Sequence, residues 1–153
     1  MAILEIKKAG DAVLKQICQP ISYADNKIKK MLDDMAETMY SANGVGLAAP
    51  QIGIPIRAVV IDIGDGLIEL INPVIIRHEG KKIDTEGCLS LPDIFGEVER
   101  YEKVTLEYLN RRGKKHRITG EGLLAVAMQH ELDHLDGVLF IDRAQSLHKG
   151  TVQ

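Results

Sequence analysis

The chain has few cysteines, no long apolar run and no large excess of charge of either sign. Its 153 residues include only two cysteines. If one of them binds a metal, no disulfide pair remains, so we expect a reducing compartment. No run of 18 apolar residues and no N-terminal leader are visible. We therefore predict no membrane partner and, by default, a cytoplasmic location. Nineteen basic and 22 acidic residues give a net charge of −3, which does not favour DNA as a partner.

The length and the pattern of apolar residues predict one α+β domain over residues 1–153. Apolar residues at helical steps predict a long N-terminal helix over 25–42, and a proline-free segment predicts a second helix over 122–135. Between them lie runs typical of strands, with Asn72-Pro73 as an interruption. These predicted strands cover 57–63, 67–71, 74–78, 98–109 and 115–119. We expect mainly antiparallel sheets packed around the C-terminal helix, which would carry a metal site.

The segment HELDH at residues 130–134 carries the most chemical information. His130 and His134 are four residues apart, so both imidazoles share one helix face and can bind a single ion. Glu131 can then serve as a proton carrier beside metal-bound water. A histidine on an apolar helix face is more often an ordinary core residue. Two histidines flanking a glutamate are harder to explain by packing alone.

A catalytic site of this kind needs a third protein ligand. In the longer protease pattern H-E-x-x-H-x-x-G-x-x-H, the last histidine is replaced here by Phe140. The 19 residues after His134 contain no glutamate to supply a carboxylate. Cys88, in a polar, glycine-flanked segment, is the better candidate, although a buried structural cysteine is the alternative. We assign that structural role to Cys18.

Three segments together resemble the bacterial peptide deformylase family. Residues 44–51 (GVGLAAPQ) resemble its motif GxGLAAxQ, residues 86–90 (EGCLS) its motif EGCLS, and residues 129–134 (QHELDH) its motif QHExDH. Their order and spacing also match, and the resemblance extends from Ile3 to Asp142. Because one motif alone could mislead, the specificity comes from all three occurring in order.

The resemblance implies a hydrolase that removes the formyl group from the N-terminal formylmethionine of new polypeptides and releases formate. It implies one divalent ion held by Cys88, His130 and His134, usually Fe²⁺ and replaceable by Zn²⁺ or Ni²⁺. Metal-bound water would attack the formyl carbon, with Glu131 as general base and then acid. The side-chain amide of Gln51 and the backbone N–H of Leu89 would stabilise the charged formyl oxygen.

The resemblance also implies a substrate site. The backbone near Gly46 would bind the peptide as an added strand, and an apolar slot would accept the methionine side chain. Ordinary core packing is the alternative for the slot residues, which are Val45, Leu123, Val126 and Ala127. Glu86 and Arg100 are expected to form an ion pair that holds the cysteine segment.

Two departures from the family pattern affect the expected partners. Many members have a basic residue shortly after EGCLS, whereas residues 92–96 here read PDIFG. Contacts beyond methionine should therefore be more apolar. The resemblance allows the ribosome as a partner, but the short tail at residues 146–153 does not support docking through a C-terminal helix.

Two other functions remain open. A metallopeptidase or another metal-dependent amidase could use the same helix. A binding module could instead hold a closed structural zinc with Cys88, His130 and His134. Glu131 argues for an enzyme, because a structural site needs no proton carrier. Formate release from a formylated peptide separates all three.

Overall fold

The structure is a computed structural model that describes residues 2–150. This part of the chain forms two antiparallel sheets and two α-helices. The helices are α1 (Asn26–Ser41) and α2 (Leu123–Leu135). The strands are β1 (Gly46–Ala48), β2 (Ala58–Ile61), β3 (Ile68–Glu79), β4 (Lys82–Cys88), β5 (Leu91–Arg100), β6 (Lys103–Leu109), β7 (Lys115–Glu121) and β8 (Ser146–Lys149). Short 3₁₀ helices cover Ala12–Lys15, Ala49–Ile52 and Phe140–Asp142.

The larger sheet has the strand order β1-β2-β3-β6-β7 and separates the two helices. Alternate residues of β2 face opposite sides, as the pleat of a strand requires. Val59 and Ile61 belong to the apolar cluster that includes Met128 of α2, whereas Val60 belongs to the cluster that includes Met35 of α1. Strand β2 is therefore buried on both faces, and α2 packs against the sheet through the first of these clusters.

Helix α1 begins and ends at local signals in the sequence. The side chain of Asp25 accepts a hydrogen bond from the Ile28 N–H at 3.0 Å and caps the first turn. The helix ends before Asn43, whose φ of 58° is left-handed and stops helical hydrogen bonding. It has 16 residues, about four and a half turns. The N-terminal helix is thus shorter than the predicted range 25–42 and of moderate length.

The structure corrects the predicted strands at two places. Asn72-Pro73 does not end a strand, because β3 runs through it with a register shift between Ile71 and Val74. Asn72 adopts a φ of 51° and its side chain bonds both backbone groups of Ile21 at 2.8 Å. The predicted strand 98–109 is in fact β5 and β6, which lie in different sheets. The alternation of apolar and polar residues continues from β5 into β6, so it cannot show that the chain changes from one sheet to the other.

The smaller sheet has the order β4-β5-β8 and carries the cysteine segment. Strand β8 lies in the tail, which was not predicted to form a strand. Residues 151–153 of that tail lie outside the described residues. Cys18 is 3% exposed in the core, as expected for a structural cysteine. No helix in the described range is long and apolar enough to cross a membrane.

Candidate metal centre and cleft

Helix α2 presents two histidines on one buried face. The rings of His130 and His134 have centroids 5.1 Å apart, and both residues are buried. His130 Nδ1 lies 2.9 Å from Glu86 Oε1. Since a carboxylate only accepts hydrogen bonds, Nδ1 carries the proton and Nε2 is free to act as a ligand. The i,i+4 spacing and this hydrogen bond therefore fix which nitrogen of His130 faces the centre.

Cys88 reaches the same point from the smaller sheet. It ends β4, where the β4–β5 register shifts between Glu86 and Cys88. Its Sγ lies 3.3 Å from His134 Nε2. The ligand atoms of Cys88, His130 and His134 all lie within 4.8 Å of one another. The fold thus brings together the three residues that the sequence analysis proposed as ligands.

These side chains fit a divalent metal ion. Two ligands about 2.0–2.3 Å from a tetrahedral ion lie roughly 3.5 Å apart, close to the Cys88–His134 separation. Burial alone would lower the pKa of His130. The hydrogen bonds with Cys88 and Glu86 and the negative charge of Glu131 together have a larger effect and raise that pKa to about 10. The surroundings therefore stabilise positive charge at the centre. Burial lowers the pKa of His134 to about 3, with the His130 charge as a further cause, so His134 is kept in the neutral form that binds metals.

A buried ion-pair network supports His130. Arg100 donates to both oxygens of Glu86 at 2.8 and 2.9 Å and to Asp133 at 2.6 Å. Burial by itself would raise the pKa of Glu86, yet its hydrogen bonds from Arg100 and His130 lower it to about 2. Arg143 covers Asp133 from the surface with contacts of 2.7 and 3.0 Å. The predicted Glu86–Arg100 ion pair is confirmed, and Asp133 extends it to α2.

Glu131 is the buried acid beside this centre. Its Oε1 has no hydrogen-bond partner within residues 2–150. A Cβ placed on Gly46 would lie 2.6 Å from its Oε2, so only a glycine backbone can approach so closely. Burial raises the pKa of Glu131 to about 7. A carboxyl group with such a pKa can both accept and donate a proton near neutral pH.

Gln51 reaches the centre from the 3₁₀ helix Ala49–Ile52 and is 1% exposed. Its Oε1 accepts from the Ala48 N–H at 2.9 Å, which orients the amide. Its Nε2 then donates to Ser90 Oγ at 3.1 Å and lies 3.6 Å from Cys88 Sγ. Gln51 is therefore a buried, fixed amide donor beside the candidate metal centre.

An open cleft of about 460 Å³ leads to these groups. Every predicted site residue except His134 lines it. The apolar lining includes Val45, Leu89, Leu123, Val126 and Ala127. A second groove of about 540 Å³ contains only Val126 of the predicted site residues. Two of the three candidate ligands (Cys88 and His130), the acid Glu131 and the apolar residues thus share a single cleft.

Comparison with known proteins agrees with this geometry. A family model described as polypeptide deformylase matches residues 3–150. The chain belongs to the peptide deformylase family. A peptide deformylase of Acetivibrio thermocellus is 57% identical over 143 residues, which cover 94% of this chain and 84% of the relative. A peptide deformylase of Carboxydothermus hydrogenoformans is 54% identical over 147 residues, which cover 96% of this chain and 97% of the relative.

Solved peptide deformylases share the fold. The structure from Thermotoga maritima has a TM-score of 0.93 and 43% identity, and the match covers 95% of this chain and all of that one. The structure from Synechococcus elongatus, in complex with actinonin, has a TM-score of 0.91 and 43% identity, with coverage of 94% and 79%. The resemblance seen in the three motifs is confirmed, and the protein is an enzyme of the hydrolase class whose family acts in translation.

Sequence reasoning missed two residues that hold this deformylase site together. Ser90 binds the Gln51 amide, and Asp133 binds Arg100. Asp133 follows His130 by three residues, so helical spacing places both on neighbouring positions of one face. That spacing was a usable signal for Asp133. The Gln51–Ser90 contact joins residues 39 apart and had no local signal.

Proposed function

We propose that this chain removes the formyl group from N-terminal formylmethionine of newly synthesised proteins and releases formate. The observation that carries the proposal is a buried carboxylate oxygen of Glu131 that has no hydrogen-bond partner among residues 2–150 and lies beside a Cys–His–His set in an open cleft. Family membership supports the same reaction. The proposed catalytic unit is a single domain over residues 1–153. It would act in the cytoplasm, where nascent chains emerge. Contact with the ribosome stays a prediction.

Cys88, His130 and His134 would hold one divalent ion, Fe²⁺ in cells, with Zn²⁺ or Ni²⁺ as substitutes. One thiolate and two imidazoles accept several such ions. When bound, the ion supplies Lewis acidity and lowers the pKa of water in its open position. The geometry supports an open rather than a closed site. Within residues 2–150 no fourth Cys, His or carboxylate joins the group, and the cleft reaches Cys88 and His130.

Glu131 would act first as the general base and then as the general acid of the reaction. It accepts a proton from the attacking water as the water oxygen bonds to the formyl carbon. When the carbon–nitrogen bond breaks, the same proton passes to the methionine nitrogen, and formate leaves. The raised pKa of Glu131, about 7, suits both transfers. Water and the substrate amide are the only reactants that this sequence of steps needs.

Gln51 Nε2 and the backbone N–H of Leu89 would stabilise the formyl oxygen as negative charge builds on it. The Gln51 amide is already oriented by Ala48 and Ser90, so it needs little reorganisation during the reaction. Losing one such donor typically costs about 3 kcal/mol of transition-state stabilisation. Both groups line the cleft next to Cys88, which supports the assignment.

The peptide would bind along β1 with its methionine in the apolar slot. In the described part of the chain β1 pairs only with β2, so its other edge is open to an added strand next to Gly46. The slot would be formed by Val45, Leu123, Val126 and Ala127. Val45 and Leu123 are 43% and 56% exposed. Covering exposed apolar side chains with an apolar substrate group removes them from water, which favours binding.

Formate release tests the proposal. Protein purified anaerobically and analysed for metals should release formate from formyl-Met-Ala, but no product from acetyl-Met-Ala or unblocked Met-Ala. Actinonin, present in the Synechococcus elongatus structure, should compete with the formylated peptide. Cleavage of the Met–Ala bond without formate would instead indicate a peptidase. Stoichiometric metal without any hydrolysis would indicate a structural zinc module.

A further inference from the structure

A third groove, of about 300 Å³, lies between the segment before α1 and the β6–β7 turn. In the described range its lining has no residue in common with that of the metal cleft. It is lined by the buried side chains of Ile21 and Ile71, by three cations (Lys29, Arg111 and Arg112) and, within residues 2–150, by no acidic residue. The lining of the second groove, by contrast, includes four acidic residues. The third groove therefore combines an apolar floor with positive charge.

One wall of this groove, residues 21–24, is held by a strained residue of the larger sheet. Asn72 of β3 has a φ of 51°, a left-handed backbone that costs energy for a residue with a side chain. Its side chain accepts from the Ile21 N–H and donates to the Ile21 carbonyl, each at 2.8 Å. Tyr23 follows two residues later, lines the groove and is 72% exposed. A fixed backbone thus presents an open aromatic ring on which a flat ligand group can stack.

The opposite wall, the β6–β7 turn, is also held in place by side-chain hydrogen bonds. The side-chain oxygen of Asn110 accepts from the Arg112 N–H at 2.9 Å and fixes the turn. Arg111 joins the turn to α1 and β3, because it donates to Asp33 and to Glu69 with shortest contacts of 2.6 Å. Both walls are therefore in position before any ligand arrives, which lowers the entropy cost of binding.

Two of the three cations have no carboxylate partner. Arg111 is neutralised by its two acidic partners, whereas within residues 2–150 neither Lys29 nor Arg112 forms a salt bridge. Lys29 is half-buried, so it loses part of its hydration without gaining a counter-charge. Residues 111–117 also contain five of the 19 basic residues of the chain and no acidic residue. Charge complementarity therefore favours an anionic group between Lys29 and Arg112.

A nucleotide matches this combination of an aromatic ring, an apolar floor and two unpaired cations. Single-stranded nucleic acids are generally bound by stacking of a base on an aromatic ring and by pairing of phosphates with basic side chains. Arginine can bind two phosphate oxygens at once. A volume of about 300 Å³ is at the small end of ligand sites, so it suits one nucleotide unit. An anionic lipid surface fits less well, because it is flat and cannot enter a groove between two walls.

We propose that this groove binds one nucleotide, with the base against Tyr23 and the phosphate between Lys29 and Arg112. The same chemistry is present in a free mononucleotide and in a nucleotide of single-stranded RNA, and direct binding measurements can separate these two sources. The inference goes beyond deformylation and does not depend on it, because none of the three residues lines the metal cleft.

Binding of two probes to the whole protein tests the proposal. Adenosine 5′-monophosphate represents the free nucleotide, and a fluorescein-labelled oligoadenylate of about eight nucleotides represents single-stranded RNA. Calorimetry measures the first and fluorescence anisotropy the second, each between about 50 and 200 mM salt. Much tighter binding of the oligomer would identify RNA as the source of the nucleotide, and similar affinities would identify the free nucleotide.

Three alanine variants remove the proposed contacts in two distinguishable ways. Tyr23→Ala should weaken binding about tenfold without changing its salt dependence, because only stacking is lost. Tyr23→Phe should keep the affinity, because the ring remains. Lys29→Ala and Arg112→Ala should each weaken binding about fivefold and lower the salt slope by about 1, because each removes one phosphate contact.

Two matched variants outside the groove are the controls. Arg77 is exposed on β3, and Ile17 is 72% exposed, as Tyr23 is. Arg77→Ala and Ile17→Ala should leave nucleotide binding unchanged. In all variants Tm and formate release should also be unchanged, which would show that the fold and the metal cleft are intact.

Three results would overturn the inference. Neither probe could bind at concentrations up to about 1 mM. Arg77→Ala could weaken binding as much as Arg112→Ala does, which would indicate unspecific attraction by charge. Polyglutamate or phosphatidylserine vesicles could bind with the same dependence on Tyr23 and Arg112 while the nucleotides do not, which would assign the groove to another kind of partner. A protein that binds nucleotides but releases no formate would refute only the proposed deformylation.

Discussion

Replacing Arg100 by methionine should destabilise the protein far more than the same change at Arg143. Both guanidinium groups bind Asp133, but the Arg100 side chain is 4% exposed and the Arg143 side chain 50%. Arg100→Met leaves the buried carboxylates of Glu86 and Asp133 without their shared cation. Removing one partner of a buried ion pair costs about 3–5 kcal/mol, whereas an exposed pair contributes about 1 kcal/mol or less.

Thermal unfolding of the two variants measures this difference. At about 2–4 °C per kcal/mol for a domain of this size, Arg100→Met should lower Tm by roughly 6–20 °C. Arg143→Met should lower it by no more than about 4 °C. Urea unfolding provides an independent measurement of the free energy of unfolding. Metal analysis shows whether His130 still binds the ion when the Arg100–Glu86 pair that holds it is lost. We also expect Arg100→Met and Glu86→Gln to be less than additive, because the second change removes one stranded charge.

Equal stability of the Arg100 and Arg143 variants would refute this reasoning. So would full additivity of Arg100→Met with Glu86→Gln, because the two side chains share two hydrogen bonds. If Arg100→Met keeps its Tm but loses metal, the ion-pair network of Arg100, Glu86 and Asp133 orients His130 without stabilising the fold.

Three further predictions concern the reaction itself. Glu131→Gln should keep its metal and lose at least about 100-fold in kcat, because the amide cannot carry the proton; a fully active variant in the formate assay would exclude Glu131 as the base. Cys88→Ala should lower metal content, since two of three ligands remain; unchanged stoichiometry by elemental analysis would contradict the ligand role. Gln51→Ala should lower kcat by about 100- to 1000-fold while KM changes little; a change confined to KM would mean that Gln51 binds substrate without stabilising the transition state.

Local sequence patterns were sufficient for the elements that carry the site. The spacing of His130, Glu131 and His134 is set by helix geometry within one turn, so their common face could be predicted without a fold. Asp25 and Asn43 mark the ends of α1 for the same reason, because capping involves groups only a few residues apart. The three motifs then identified the family and with it Gln51, and they supported Cys88, which was already the better candidate for the third ligand.

Contacts between distant segments could not be read from local patterns. The change of sheet between β5 and β6 lies inside a continuous alternating run, because alternation records only which side chains are buried and not which strand is the partner. The pairing of β8 with β5, the Gln51–Ser90 hydrogen bond and the bonds from Arg111 to Asp33 and Glu69 all join residues far apart in the chain. Sequence alone therefore determined which groups could do the chemistry, through residue type and short-range spacing. Only the tertiary structure decided which of them meet, because burial and long-range pairing depend on the whole chain.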